Sequence, residues 1–408
     1  MSPPFNFIRS LGGIRAVAAV LVVYFHFSYW LSPFAPPGAD LFRLANAASY
    51  GMTLFFVLSG FVIHLTYSKW FERLAAPRAV LLFATARFAR LYPLYLSFLV
   101  VWVVSHHGYL LRFLNDPEFR VFTLVHLLAL QSWFPLMLDG KLSYNSVFNV
   151  SWSVSTEMFF YLVYPACFVA LRKLSSAKQS ALATLVFAMT MLFLLPLCAR
   201  GFVPIGHQIE RYWGMHPDGA ANGVWEWLVY ESPYFRLPEF LLGALAAHSY
   251  LQSNAVRPEV QSDLARYLPS TALVLIVALA LLPEAYPTSG ALKVLGRNFL
   301  LAPGFALLLY AIARPDNVIA RILGSAGLVW LGEVSYSVYL LHPFIPRMID
   351  VTYNAYPVTL ASTTLYLANL AMGGFALAAL SWGMYSLLEM PARRVLRRVG
   401  ERAALGGA

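Results

Sequence analysis

Long apolar stretches, separated by short polar segments, follow one another along almost the whole chain. A helix needs roughly 20 apolar residues to cross the hydrocarbon core of a bilayer, and about ten stretches approach that length. The pattern therefore predicts an all-α polytopic membrane protein with about ten transmembrane helices. The predicted spans lie near Gly12 to Leu31, Ala48 to Tyr67, Leu91 to Ser105, Val154 to Leu171, Ala181 to Ala199, Tyr234 to Leu251, Leu268 to Tyr286, Asn298 to Ala313, Leu328 to Ile345 and Leu360 to Leu388.

One more apolar stretch, Val121 to Leu138, is interrupted by Gln131 and a proline, and the charge of the loops decides whether it crosses. Lys and Arg gather in the cytoplasmic loops of membrane proteins. Two basic segments, Lys69 to Arg90 and Arg172 to Lys178, should both be cytoplasmic, so an even number of crossings must separate them. This parity predicts that Val121 to Leu138 forms one non-spanning or re-entrant segment at the outer face, with both termini in the cytoplasm.

The composition supports the same fold class, because 59% of the 408 residues are hydrophobic, only 12% are charged and the mean hydropathy is +0.64. The net charge of +10 comes from basic residues in the loops and forms no single stripe, so nucleic-acid binding is not expected. No internal repeat and no low-complexity linker divides the chain. We predict a single transmembrane domain over residues 1–392 and a basic cytoplasmic tail over residues 393–408.

Ionisable residues inside the predicted spans are the first candidates for function, because a charged side chain in hydrocarbon costs about 2.5–3.5 kcal/mol. The first span holds Arg15 and His26, eleven residues apart. Eleven residues return to the same helix face within about 20° and advance about 16 Å along the axis. One face thus presents a cation near the inner surface and an imidazole in the outer half. Alternatively, Arg15 snorkels to the headgroups and His26 is a hydrogen-bonded packing residue.

A second pair of cations, Arg87 and Arg90, enters the third span at the predicted inner surface. Two residues three positions apart share a helix face. They could serve only as positive-inside anchors. Together with Arg15 they could instead form a phosphate-binding cluster that opens to the cytoplasm.

Further polar side chains fall near the predicted outer ends of spans. Glu157 leads directly into an apolar run, and helix capping does not explain it. Arg236 and Glu239, three residues apart, are expected to pair with each other rather than to take part in catalysis. Ser59 and Gly60 could simply permit close helix packing. The residues that we assign to substrate binding on this side are Trp152, Arg236, Glu239, Tyr336 and His342.

Other kinds of chemistry find no support in the sequence. The histidines lack a convincing zinc-ligand spacing, so no metal is predicted. The chain has no glycine-rich phosphate loop and no serine in a nucleophile elbow. Cys167 and Cys198 fall inside apolar runs and are interpreted as inert buried thiols.

Several motifs taken together resemble the acyltransferase-3 family of membrane acyltransferases. They are the arginine and histidine of the first span, followed in order by FFVLSGF, RFARLYP, WSVSTEMFFYLVYP, RLPEFLLG and SYSVYLLHP. The resemblance extends from Leu11 to about Pro391, and six loose motifs in this order form a specific signal. The chain departs from many relatives at Gly12 and Ala16, where those have an acidic residue and a glycine.

The resemblance implies a membrane enzyme that takes an acyl group, commonly acetyl, from cytoplasmic acetyl-CoA or another acyl-CoA. This co-substrate is not a permanently bound cofactor. The implied acceptor is a hydroxyl of a glycan, glycolipid or small molecule, and the implied location is the bacterial cytoplasmic (inner) membrane. By motif, His26 is the catalytic histidine, Glu157 is an essential acid, and Arg15, Arg87 and Arg90 serve the CoA side.

Three hypotheses follow for function. In the first, neutral His26 deprotonates the acceptor hydroxyl or carries the acyl group briefly, with Glu157 orienting the imidazole or the acceptor. The second is a transporter, since charged residues in spans also mark solute paths, although inverted repeats are missing. The third is a structural or receptor-like protein, in which Arg15, His26 and Glu157 would tolerate substitution.

Overall fold

The computed structural model is nearly all helical. It describes residues 8–31, 50–105, 108–138, 141–142, 149–212, 224, 227–256, 263–281, 299–314, 317–345 and 363–405. The α-helices of the first half are α1 (Arg9–Trp30), α2 (Gly51–Arg73), α3 (Ala76–Ser105), α4 (Tyr109–Asn115), α5 (Pro117–Leu127), α6 (Trp152–Leu171) and α7 (Ala177–Tyr212). Those of the second half are α8 (Pro233–Val256), α9 (Asp263–Leu281), α10 (Ala302–Ile312), α11 (Val318–Leu323), α12 (Ala326–Leu341), α13 (Thr363–Met384) and α14 (Met390–Leu405).

Short elements complete the description. A 3₁₀ turn covers Asn149–Ser151, and π-helical turns cover Trp227–Glu231 and Tyr385–Glu389. Strands β1 (Met137–Leu138) and β2 (Lys141–Leu142) form a two-residue antiparallel ladder.

Six helical segments among the described residues are long and apolar enough to cross a membrane. They are Arg9–Ser28, Gly51–Arg73, Ala76–Val104, Trp152–Leu171, Ala177–Leu194 and Tyr366–Ala404, and the apolar helices Ala302–Ile312 and Ala326–Leu341 are shorter. The molecule is therefore an integral multi-pass membrane protein. The predicted span ends at Ala48, Tyr286, Asn298 and Leu360, and both termini, lie outside the described residues.

The apolar segment Val121 to Leu138 contains no helix of spanning length. Helix α5 begins at Pro117, where the Asp116 side chain accepts hydrogen bonds from the backbone N–H groups of Glu118 and Phe119. The bond from Phe119 is the main reason that the pKa of the Asp116 carboxyl is lowered. The helix stops at Leu127, and Ala129 then adopts a left-handed φ of 54°. The chain then continues in turns up to β1. That the segment stays at the outer face remains a prediction of the charge parity.

Glycines bring pairs of helices into backbone contact. A Cβ at Gly60 of α2 would collide with the carbonyl oxygen of Phe240 on α8, and a Cβ at Gly243 of α8 would collide with that of Val57 on α2. Helices in lipid associate through such small residues, because burial of apolar surface does not drive them together there. The packing role predicted for Gly60 is confirmed, and α2 and α8 form the central pair of the fold.

The helices that pack on the central pair include α1, α3, α6, α7 and α10. Helix α1 packs on α12, where Gly332 lies against the backbone of Gly12. Helix α14 continues directly from the π-turn after α13 and packs on α3. The boundary predicted at residues 392 and 393 falls inside α14.

Candidate active site

A cavity opens between α1, α2, α3, α6 and α12, with a volume of about 740 Å³ including the part that reaches solvent. Its walls combine apolar side chains of α2 with polar groups from all five helices. The polar lining consists of Arg15, Ser59, Arg87, Arg90, Ser153, Glu157, Tyr161, Ser335, Tyr336 and Tyr339. The cavity therefore brings together four residues predicted for the acyl donor and catalysis and one residue, Tyr336, predicted for the acceptor.

The three arginines of the cavity differ in their partners. Arg87 donates a hydrogen bond of 2.5 Å to the Tyr67 hydroxyl and lies over the Tyr67 ring. Arg90 forms a salt bridge of 3.7 Å with Glu389. Arg15 has no hydrogen bond or salt bridge with a described residue, although it interacts electrostatically with both other arginines. A guanidinium held among like charges without a partner is suited to binding an anion.

Glu157 lies with the arginines and not with the imidazoles. Its carboxylate accepts a hydrogen bond of 2.7 Å from the Tyr161 hydroxyl, one turn further along α6. It interacts electrostatically with Arg87, Arg90 and Arg15. The sequence placed Glu157 in an outer set with His26 and His342, and this is corrected by the tertiary structure. Charge bias assigns loops to a side of the membrane, but it does not resolve depth within a span.

Two imidazoles form a separate pair on α1 and at the end of α12. The ring centroids of His26 and His342 are 4.7 Å apart. His26 Nδ1 lies 2.9 Å from the carbonyl of Val22, and His342 Nδ1 lies 2.6 Å from the carbonyl of Tyr339. A carbonyl only accepts, so both Nδ1 atoms donate and both neutral rings keep an acceptor at Nε2. Glu157 therefore does not hold the His26 Nδ1–H, because the Val22 carbonyl does.

Tyr339 connects the two groups. Its side chain lines the cavity, and its ring lies 5.6 Å from the ring of His342. The hydroxyl accepts from Ser153 at 2.7 Å and donates to the carbonyl of Val150 at 3.0 Å. Both hydrogen bonds fix the phenol between the cavity and the imidazole pair.

The remaining residues that were assigned to substrate binding divide between the cavity wall and the core. Tyr336 lines the cavity, and its hydroxyl donates a hydrogen bond of 2.7 Å to the carbonyl of Leu91. Trp152 is buried against Phe56 and Tyr230, and it is not among the lining side chains.

Arg236 and Glu239 are fully buried and form the predicted salt bridge at 3.0 Å. The guanidinium lies between the rings of Phe56 and Tyr230, at 4.9 and 5.3 Å, and Thr53 donates to Glu239. The pair lies behind Phe56, which lines the cavity, so it can hold the Phe56 ring in position.

Three residues near the cavity were missed as candidates from the sequence: Tyr161, Glu389 and Arg393. Glu389 is 2% exposed and accepts a hydrogen bond of 2.8 Å from Ser337 in addition to its salt bridge with Arg90. A lone acid at the end of the apolar run that precedes MPARR was a usable signal, because carboxylates in spans need a partner. Arg393 was counted as part of a tail, and Tyr161 is one of many aromatic residues in the spans.

A second set of buried, hydrogen-bonded side chains lies outside the cavity and links α2, α6 and α8. His248 Nε2 lies 2.9 Å from the Leu174 carbonyl, so it donates and its Nδ1 accepts from His64 Nε2 at 3.0 Å. His64 Nδ1 then accepts from the Tyr164 hydroxyl at 3.3 Å. Every ring nitrogen of His64 and His248 has a hydrogen-bond partner, which is the arrangement expected of a structural link. Within the described residues, no group of three or more His, Cys, Asp or Glu side chains could hold a metal ion.

A polar cavity lined by three partly buried arginines, inside a bundle of long apolar helices, defines an integral membrane protein with a polar site between its helices. The comparisons with known sequences specify the class. The profile of the acyltransferase-3 family, described as an acyltransferase domain, matches residues 8–386. The chain belongs to this family and is a membrane acyltransferase.

The curated relatives agree with this assignment. The chain is 29% identical to the acyltransferase MdmB of Streptomyces mycarofaciens, with 98% of this chain and 95% of that protein covered. It is 24% identical to the putative peptidoglycan O-acetyltransferase YrhL of Bacillus subtilis, over 83% of this chain and 48% of that protein. It is 23% identical to the peptidoglycan O-acetyltransferase OatA of Listeria monocytogenes, of which it covers 49%. No solved structure matches the chain.

Proposed function

We propose that the protein transfers an acyl group, in the first place acetyl, from cytoplasmic acyl-CoA to a hydroxyl of a saccharide, glycolipid or other small acceptor. The observation that carries the proposal is Arg15, a cation without a partner among the described residues, which lines a cavity beside Arg87 and Arg90. CoA supplies the phosphates that such a cluster would bind. The O-acetyltransferase names of two relatives support a hydroxyl acceptor.

The spacing of Arg15 and His26 on α1 sets the distance over which the donor would extend. Arg15 and His26 are eleven residues apart on one helix, which places them about 16 Å apart along its axis. An extended pantetheine arm can bridge that separation. With its phosphates at the arginines, the thioester would reach the level of the imidazole pair, where acceptors from the outer side could meet it.

For the chemical step, His26 Nε2 would take the proton of the acceptor hydroxyl while the oxygen attacks the thioester carbonyl. The carbon–sulfur bond then breaks, and the protonated imidazole returns its proton to the leaving thiolate, which gives the acyl ester and free CoA. The Val22 carbonyl would hold His26 in the tautomer that this step needs. A brief acyl-imidazole on His26 would use the same nitrogen.

The other site residues take positions around this step. His342, first assigned to the acceptor, is proposed to share the proton, because its Nε2 is buried and no hydrogen bond to a described residue satisfies it. Glu157 is proposed to balance the charge of the arginines, since its carboxylate lies among them. Tyr336 and Tyr339 would shape the channel between the phosphates and the imidazoles.

We further propose that the chain has about ten spans in a bacterial cytoplasmic membrane, with both termini inside. Eight apolar helical segments among the described residues support this number. Helices α8 and α9 are the other candidates, since each is long enough to cross most of the hydrocarbon.

The proposal is tested with the full chain in lipid nanodiscs, using acetyl-CoA labelled in the acetyl group. Free CoA should appear in step with a labelled acceptor from a membrane glycolipid and saccharide extract, and the mass of the product should rise by one acyl group. Labelled acetate alone would indicate hydrolysis of the donor. Movement of solute across a vesicle membrane without release of CoA would support a transporter and overturn the proposal.

A further inference from the structure

One basic residue near the cavity, Arg393, has no part in the proposed mechanism. It lies on α14, the basic helix that continues from the π-turn Tyr385–Glu389. Arg393 follows Glu389 by four residues on a continuous helical backbone, so both side chains lie on one face. Glu389 forms the salt bridge to Arg90 of the cavity. The same face of α14 therefore directs Arg393 toward the arginine cluster.

The packing of α14 on α3 sets the side on which Arg393 lies. Glu389 meets Arg90, whereas Gly400, eleven residues later, packs against Thr85, five residues earlier on α3. The two helices thus run antiparallel, and α14 leads from Arg90 toward the N-terminal end of α3. That end carries the basic segment that the charge rule assigns to the cytoplasm. Arg393 accordingly lies on the cytoplasmic side of Arg90.

The electrostatic surroundings of Arg393 are cationic. It interacts with Arg90 and Arg87, and it also interacts with Arg15. No described carboxylate lies within salt-bridge distance of its guanidinium. The carboxylates that interact with the four arginines are Glu157, which is hydrogen-bonded to Tyr161, and Glu389, which is paired with Arg90. Four cations against two carboxylates leave an excess of positive charge that an anion can neutralise.

Arg393 does not line the cavity as Arg15, Arg87 and Arg90 do. It is partly buried, and it lies beyond Arg90 toward the end of α3 that the charge rule assigns to the cytoplasm. A CoA molecule that enters thioester first places its diphosphate deeper than its ribose 3′-phosphate. The cation furthest toward the cytoplasm then meets the phosphate furthest from the thioester.

We propose that Arg393 binds the ribose 3′-phosphate of the acyl-CoA donor, so that α14 is part of the donor site. The proposal rests on the proposed donor and adds a residue and a specificity to it. It predicts discrimination between CoA and 3′-dephospho-CoA, two ligands that differ only in this phosphate.

The test measures dissociation constants for CoA and 3′-dephospho-CoA by isothermal titration on the full chain in nanodiscs, without any acceptor. In Arg393→Gln, CoA should bind about tenfold more weakly, at the level that 3′-dephospho-CoA shows on the unchanged protein. Binding of 3′-dephospho-CoA itself should change by less than about twofold. Arg394→Gln is the matched control, because Arg394 is the exposed neighbour on the same helix and its substitution removes the same charge.

The outcomes separate the two proposals. If the unchanged protein binds neither ligand, the acyl-CoA donor itself is wrong. If it binds CoA, and Arg393→Gln weakens both ligands equally or behaves like Arg394→Gln, the 3′-phosphate contact is refuted while the donor stands. If Arg393→Gln fails to fold, Arg393→Lys is measured in its place. It should weaken the binding of CoA about threefold and leave the binding of 3′-dephospho-CoA unchanged. An unchanged affinity for CoA in Arg393→Lys would then count against the contact.

Discussion

At the residue scale, the two histidine pairs differ in which ring nitrogens have hydrogen-bond partners. In the pair His64 and His248, every ring nitrogen has a hydrogen-bond partner. In the pair His26 and His342, each ring donates from Nδ1 to a backbone carbonyl, and Nε2 remains for other chemistry. The first arrangement stabilises the fold, while the second leaves one basic nitrogen on each of two adjacent rings.

This difference predicts opposite effects for two histidine substitutions. His26→Ala should lower kcat by at least about a hundredfold, because a positioned acid–base group contributes about that much, and should leave the melting temperature nearly unchanged. His64→Ala should destabilise the fold by about 1–3 kcal/mol and leave kcat within about threefold. Acyl transfer and thermal unfolding are measured on the same purified preparations. Normal product formation by His26→Ala would remove the central assignment.

At the element scale, the position of each helix depends on where small residues permit contact. Gly60 and Gly243 face the backbone of the opposite helix, whereas Gly374 on α13 has no neighbour within 4 Å of an added Cβ. The central pair α2 and α8 carries cavity residues on α2 and the buried salt bridge of Arg236 and Glu239 on α8. Separation of these helices would therefore widen the cavity as well as weaken the fold.

Substitution of these glycines should expose that dependence. Gly60→Leu should destabilise the protein by at least about 1–3 kcal/mol, because its side chain meets a backbone carbonyl that cannot rotate away. Gly374→Ala is the control and should be neutral or stabilising by up to about 1 kcal/mol, since it only improves helix propensity. Thermal unfolding and monodispersity in detergent provide the readouts. A Gly60→Leu protein as stable as the control would contradict the close packing of α2 and α8.

At the scale of the whole molecule, the predicted orientation depends on whether the segment around α5, a helix that ends at Leu127, stays on one side of the membrane. If residues 121–138 stay on one side, α3 and α6 are consecutive crossings in opposite directions. Asn115, which follows the end of α3, would then face outward, and Gln179, near the start of α7, would face the cytoplasm. Both side chains are exposed in the structure.

Cysteine labelling tests this orientation in cells. In a background with Cys167→Ser and Cys198→Ser, Asn115→Cys should react with a membrane-impermeant maleimide added outside. Gln179→Cys should react only after the membrane is permeabilised. Equal reactivity of the two positions in intact cells would mean that the segment around α5 does cross, or that the charge bias misassigned a loop.

The sequence by itself determined the features that depend on the geometry of a single helix. Apolar length indicated a multi-pass membrane protein, and the spacing of Arg87 and Arg90 placed both on one face. The spacing of Arg236 and Glu239 predicted their salt bridge, which is present at 3.0 Å. The ordered motifs indicated the family, which the match over residues 8–386 confirms.

Only the tertiary structure decided which side chains meet across helices. It placed Glu157 among the arginines, paired His26 with His342 and brought Glu389 to Arg90, a residue almost three hundred positions earlier in the chain. The physical reason is that rise and rotation per residue are constant within one helix, so local spacing is readable. Contacts between helices depend instead on small residues, crossing angles and buried polar partners from the whole bundle, which a single stretch of sequence does not specify.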